Sequence, residues 1–211
     1  MFDYTATMLC LIQDIAQNSP HFGHLAPDSI LVGLSQARTS RRFGLYAKVV
    51  PMRFEGGSRV WEKGRRGYEI EPLWHAGREI LYLIYFVLPR FQNLDFEEKM
   101  TTVFHELYHI APSFNGDIRR FPGAKYAHTC SKKGFDAQAR EMGREYLRRT
   151  PNRHLSEFLN GNFKQLERRS GQVMGRRIAL PKLKPVRPTA PAELNGQLML
   201  AFCGEGHDRQ V

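Results

Sequence analysis

The chain has 211 residues, 42% of them hydrophobic, and a formal charge of +10 at pH 7. That length suits one domain with a tail or a small appendage, and the apolar content is enough for a core. No apolar run reaches membrane-spanning length, and Cys10, Cys130 and Cys203 are too few and too scattered for a disulfide framework or a C-x-x-C metal knuckle.

In chain order, residues 4–17 read as a helix, with Met8, Leu11, Ile12 and Ile15 on one side. Pro20, Gly23 and Pro27 break that pattern. Ser29 to Leu34 is a short apolar run, predicted as a strand. Ser35 to Gly44, with Arg38, Arg41 and Arg42, reads as a loop. Leu45 to Phe54 is rich in β-formers and predicts a second strand, with Pro51 marking an edge or a bulge. Residues 58–77 are too irregular to assign and read as an excursion packed by Trp61 and Trp74. Ile80 to Leu88 is apolar on both faces, as a central strand is. Pro89 to Asn93 then turns the chain. Beyond the next helix, Phe135 to Arg149 and Leu155 to Leu166 predict two more helices. After Gly171 the chain is basic and interrupted by Pro181, Pro185, Pro188 and Pro191, so 180–211 reads as mostly unstructured.

The stretch after Asn93 carries the chemistry. Asp95 is a helix cap with Glu98 three residues on, the capping-box spacing. Phe96, Met100, Val103, Leu107 and Ile110 form a helical apolar stripe. On the predicted opposite face stand His105 and His109, within His105-Glu106-Leu107-Tyr108-His109. Residues four apart share a face, so both imidazoles can meet one ion. Glu106 lies beside that position, where a carboxylate can take a proton from water activated by the metal. Pro112 ends the helix. The competing reading is a chance pattern on a solvated helix, but cap, stripe and motif agree on the required setting.

A catalytic zinc ordinarily has three protein ligands. The metzincin spacing requires a glycine at 112 and a histidine at 115, and this chain has Pro112 and Asn115. His128 is favoured as third ligand because a long loop brings it after the helix. Glu141, on the following helix, and Asp117 are its rivals, and Asp117 alternatively orients a liganding histidine. Tyr108, Tyr126, Arg119 and Arg120 are candidates to stabilise an oxyanion.

The charge is one-sided. From Arg119 to Arg187 there are 18 Lys and Arg against 5 Asp and Glu, a net of +13. Residues 119–187 therefore point to phosphate or another acidic surface, with a solvated basic segment as the alternative.

The run His105-Glu106-Leu107-Tyr108-His109-Ile110, then Asn115-Gly116-Asp117-Ile118-Arg119-Arg120-Phe121, then His128 and Phe135-Asp136, resembles metallopeptidases of bacteria and their phages that look like relatives of the SprT-type zincins. The resemblance covers roughly 29–150. It implies a minimal zincin-like α+β fold, a small mixed sheet with the motif helix packed against it, followed by further helices and a basic tail. It also implies zinc held by His105, His109 and His128, with Glu106 as base. Thr129 stands where that family commonly has glycine, Phe135 is displaced, and no zinc ribbon follows. The expectation is a cytoplasmic zinc peptidase acting on protein or peptide, with its domain at 1–168 and a basic, flexible tail at 169–211. Nucleic acid is a possible partner through 119–187, and no membrane partner is expected. The alternative is a nucleic-acid-binding or mobile-element regulatory protein that keeps a structural zinc.

Overall fold

The computed structural model describes residues 1–37, 44–64, 66–121 and 132–186. Strand β1 (Phe2–Asp3) runs into helix α1 (Tyr4–Asn18), capped by Asp3, which accepts the Ala6 amide at 3.0 Å. Met8, Leu11, Ile12 and Ile15 are all buried, as their spacing predicts. Next come β2 (Ile30–Gln36), β3 (Ala47–Pro51), β4 (Val60–Lys63), β5 (Arg66–Ile70), β6 (Leu73–His75), β7 (Arg78–Ile80) and β8 (Tyr82–Leu88). The motif helix α2 (Phe96–Tyr108) follows, then α3 (Lys132–Arg149), α4 (Phe163–Ser170), β9 (Val173–Met174) and β10 (Leu183–Val186). The fold is mixed α+β with small sheets, consistent with a small zincin-like domain. No helix among the described residues is long and apolar enough to cross a membrane.

The central sheet has the order β2-β8-β3, with β8 parallel to β2 and antiparallel to β3. All of β8 is buried, because both its faces are covered. Ile30, Val32, Ile84 and Phe86 face the core that contains Leu11, Ile12, Met100 and Val103 from the helices. Leu31, Val50, Leu83 and Tyr85 belong to a second core with Met52, Phe54, Ile70 and Ile80. Burying each such side chain contributes roughly 1.5–3 kcal/mol. β3 is an edge strand, as Pro51 predicts.

Three segments depart from the sequence reading. Residues 58–77 contain two hairpins, β4 with β5 and β6 with β7. The second turns at Ala76-Gly77, both with positive φ (48° and 75°). That is a two-residue hairpin turn with Ala where Asn or Asp usually announces it. The helix predicted at 155–166 is a 3-10 stretch, Arg153–Leu159, and then α4. Gly161 at φ 83° separates them, and Asn162 and Gln165 form a capping box that restarts the helix. The chain beyond 180 is not wholly irregular either. Leu183–Val186 pairs with β5, and Pro185 is tolerated there because β10 is an edge.

Buried polar contacts hold the C-terminal helices onto the rest. Asp14 of α1 accepts from Tyr146 Oη at 2.6 Å, Thr150 Oγ1 at 2.7 Å and Asn152 Nδ2 at 2.6 Å. Burial alone would raise its carboxyl, but these bonds and one from Asn18 outweigh burial and hold it below its ordinary range. Lys99 of α2 is fully buried and donates to Leu159 O at 2.7 Å and Gly161 O at 2.6 Å. Burial pushes its amine down to about 8.

Candidate metal centre

Helix α2 begins at the predicted box. Glu98 N donates to Asp95 Oδ1 at 2.7 Å, and Asp95 N donates back to Glu98 Oε2 at 3.3 Å. Met100, Val103, Phe104 and Leu107 anchor it in the core. It ends at Tyr108, with His109 as C-cap at φ −69°, ψ −19°. The chain then doubles back. Ala111 N donates to Asp117 O at 3.2 Å, Arg119 N to His109 O at 2.6 Å, and Ile110 bridges Ile118. Tyr82 holds this return, donating to Asp117 O at 2.8 Å and accepting from Gly116 N at 3.0 Å. Burial raises its phenol to about 12, so it stays a protonated donor.

The two motif histidines meet at this end of the helix. His105 Nε2 and His109 Nε2 lie 3.1 Å apart. Two ligands of one tetrahedral zinc at 2.0–2.1 Å have nitrogens roughly 3.3 Å apart, so the pair is spaced for a shared ion. On its other side, His105 Nδ1 lies 2.7 Å from Asp136 Oδ1 on α3. A carboxylate there holds the proton on Nδ1 and leaves the Nε2 lone pair for a metal. Phe135 stacks on the His109 ring at 4.8 Å and meets the His105 ring edge-on at 4.7 Å. The face opposite the apolar stripe is therefore walled by α3, and His109 is buried.

Glu106 is buried, and its Oε2 accepts the Val49 amide of β3 at 2.8 Å. The register explains why that amide is available. Val87 N donates to Tyr46 O and Met52 N to Leu81 O, so even-numbered residues of β3 face β8. Ala47, Val49 and Pro51 therefore present their backbone groups to the outer edge. The opposite sheet edge, along β2, is covered in part, since Leu34 N donates to Arg176 O at 2.8 Å.

The other sequence candidates divide. Asp117 is buried and occupied, accepting from Gly56 N at 2.9 Å, from Ile118 N at 2.7 Å and from Arg120 Nε and Nη2 at 3.0 Å each. It organises the returning turn, and the partner of His105 is Asp136 instead. Glu141 is exposed and pairs with Arg148 at 3.1 Å. Arg119 donates to Tyr108 O at 2.8 Å and lies over the Tyr108 ring at 4.3 Å. Its charge thus meets the carbonyl end of α2. Tyr108 Oη accepts from Gln138 Nε2 at 3.0 Å. His128, Tyr126 and Thr129 lie outside the described residues. Among the described residues, no three His, Cys, Asp or Glu side chains are grouped to hold an ion. Sequence reasoning gave Asp136 no role of its own. Its only local signal is that it follows Phe135 at the start of a helix, and its nearness to His105 is tertiary.

The helix thus carries two histidines one turn apart with a glutamate between them, the pattern of a metallopeptidase motif helix. The family described as "putative phage metallopeptidase" matches residues 7–134, more than half of the chain, and the protein belongs to that family. Metallopeptidase activity, a metal ion and a protein or peptide substrate are what that membership implies in general terms. No curated protein and no solved structure matches the chain.

Proposed function

We propose that the protein is a zinc-dependent peptidase of the SprT-like type whose metal is held by His105, His109 and His128, with Glu106 as general base. The observation that carries this reading is the line Asp136–His105–His109, with its 2.7 and 3.1 Å contacts and Glu106 alongside. Zinc bound there supplies Lewis-acid activation of water and of the scissile carbonyl. Asp136 keeps His105 in the Nδ1–H tautomer and fixes the ring. Phe135 shields the pair on one side and limits water there.

Glu106 has two oxygens with separate tasks. Oε2 is held by the Val49 amide, which fixes the plane of the carboxylate. Oε1 takes the proton of the attacking water and gives it to the departing amine. The outer edge of β3 supplies the Ala47 amide and the Ala47 and Val49 carbonyls to which an extended peptide can add as a strand, the Val49 amide being held by Glu106. Pro51 has no N–H, so it donates nothing to such pairing.

The test separates metal, base and ligand. Wild-type protein purified without chelator should carry zinc, and His105→Ala combined with His109→Ala should lose it. Glu106→Gln should keep zinc and melting temperature while cleavage of a defined peptide mixture, read by mass spectrometry, falls by at least ~100-fold. His128→Ala should weaken zinc more than Glu141→Ala does. Full zinc occupancy in the double histidine variant, or undiminished cleavage by Glu106→Gln, would reject the mechanism.

A further inference from the structure

The free edge of β3 carries one charged side chain, Lys48. Side chains alternate along a strand, so Ala47 and Val49 face the core that holds the motif helix, while Lys48 and Val50 face the second core. Lys48 stands directly across from Tyr85 of β8, and its amine lies 5.3 Å from the centre of that ring. The ring is fixed in turn. It closes over Gly33 of β2, where an added Cβ would meet it at 3.1 Å, and Tyr85 Oη donates to Ala179 O at 3.4 Å.

Lys48 is a cation without an anion. Among the described residues, its amine has the Tyr85 ring and no carboxylate or hydrogen-bond partner. The residue is half-buried, and burial pulls the amine below its ordinary range. A charge partly withdrawn from water gains more from an arriving carboxylate than a fully solvated one does. The other strand lysines differ, since Lys184 pairs with Glu71 at 2.8 Å and Lys63 of β4 is exposed.

A peptide added to this edge bonds to the outward backbone groups of Ala47 and Val49. The residue it places across from Lys48 is then a non-hydrogen-bonded neighbour, the closer kind in an antiparallel pair, with Cα atoms about 4.5 Å apart. Residues directly opposite share a face, so that side chain leaves on the Lys48 side. The peptide residues before and after it face the motif helix instead. A lysine stem is flexible, so the amine can swing from the Tyr85 ring to meet a carboxylate there. Glu106 reaches the edge at Val49, next to Lys48, so the selected position lies close to the bond that is cut.

We propose that Lys48 determines specificity, selecting peptides that carry aspartate or glutamate at the position across from it. The inference rests on the peptidase reading, with the substrate lying along the β3 edge, and adds an acidic substrate class to it. A lysine on a free edge has a second use, because its charge discourages pairing between two copies of a chain. The two roles part in experiment.

The assay uses one peptide frame in which Glu, Gln or Lys is placed at each position in turn. Binding to full-length, zinc-loaded Glu106→Gln is read by fluorescence anisotropy, and cleavage by wild type is read by mass spectrometry. Glu at one position near the cleaved bond should improve both over Gln by roughly two- to fivefold, the size of a cross-strand charge pair. The preference should vanish with Lys48→Met, turn toward Lys with Lys48→Glu and persist with Lys48→Arg, while Lys63→Glu leaves it as it is. Equal gains from Glu at every position, which the net charge of +10 alone would produce, would overturn the proposal. So would a preference that Lys48→Glu does not change. Dimers of Lys48→Met on size exclusion, with the peptide preference intact, would assign Lys48 to edge protection instead. Cleavage without a Lys48-dependent preference sinks this inference and leaves the peptidase reading standing. Lys48-dependent binding with no cleavage does the reverse, and neither binding nor cleavage of any peptide sinks both.

Discussion

Asp136→Ala isolates the contact that orients the histidine pair. Asp136 Oδ1 lies 2.7 Å from His105 Nδ1, a charge-assisted distance. Removing such a partner of a ligating histidine costs 10–100-fold in metal affinity, or about 1.4–2.7 kcal/mol. The His105 side chain is 14% exposed and that of Asp136 is 40% exposed. Solvent screens the carboxylate from one side, which places the expected loss near ~tenfold. Asp136→Asn keeps an oxygen that can accept from Nδ1–H and should lose less. Competition with a chromogenic chelator measures zinc affinity, and far-UV circular dichroism verifies the fold. Glu141→Ala, one helical turn and more away and paired with Arg148, is the control. If Asp136→Ala binds zinc as wild type does while His105→Ala does not, the orienting role assigned to this carboxylate is wrong.

Two further outcomes test the frame around the site. Lys99 titrates at about 8 in the folded chain against an ordinary 10.5. The unfolded chain therefore binds more protons between those values, and stability rises with pH across that window. The penalty of the buried charge is fully present below pH 8 and relieved progressively above it, so wild-type stability should rise relative to that of Lys99→Met from pH 8 to 10; a flat difference in chemical denaturation would refute this. Gly116 has φ +88°, and an added Cβ would lie 2.4 Å from Arg53 Cγ. Gly116→Ala should cost about 1–3 kcal/mol, lowering the melting temperature by roughly 2–10 °C. An unchanged melting temperature would show that the turn behind His109 yields without strain.

The local features of this protein were legible because local chemistry causes them. Asp95 and Glu98 cap α2, the stripe of α1 buries Met8 to Ile15, and the wholly apolar β8 lies between two strands. His105 and His109 needed only the helical period to meet. Boundaries set by backbone conformation were harder. The Ala76-Gly77 turn lacks the usual first residue, and Gly161 breaks a pattern whose apolar spacing continues across it.

Contacts distant in the chain were settled by the tertiary structure alone. Asp136 is 31 residues from His105, and Val49 is 57 from Glu106. Neither separation carries a periodicity that a sequence could display. Asp117 was the sequence candidate to orient a histidine, yet packing commits both its oxygens to Arg120 and to the backbone of the returning turn. The charge of 119–187 was countable from composition. Which arginines keep it depended on which acids folding placed beside them, Glu97 beside Arg144 on α3 and, among the described residues, no carboxylate within 4 Å of Arg177. Sequence by itself determined the helix, its cap and the pair of imidazoles, because those follow from spacing along one element. Tertiary structure decided which carboxylate orients them, which strand holds the glutamate and where positive charge remains, because Coulomb energies and hydrogen bonds depend on distance in space.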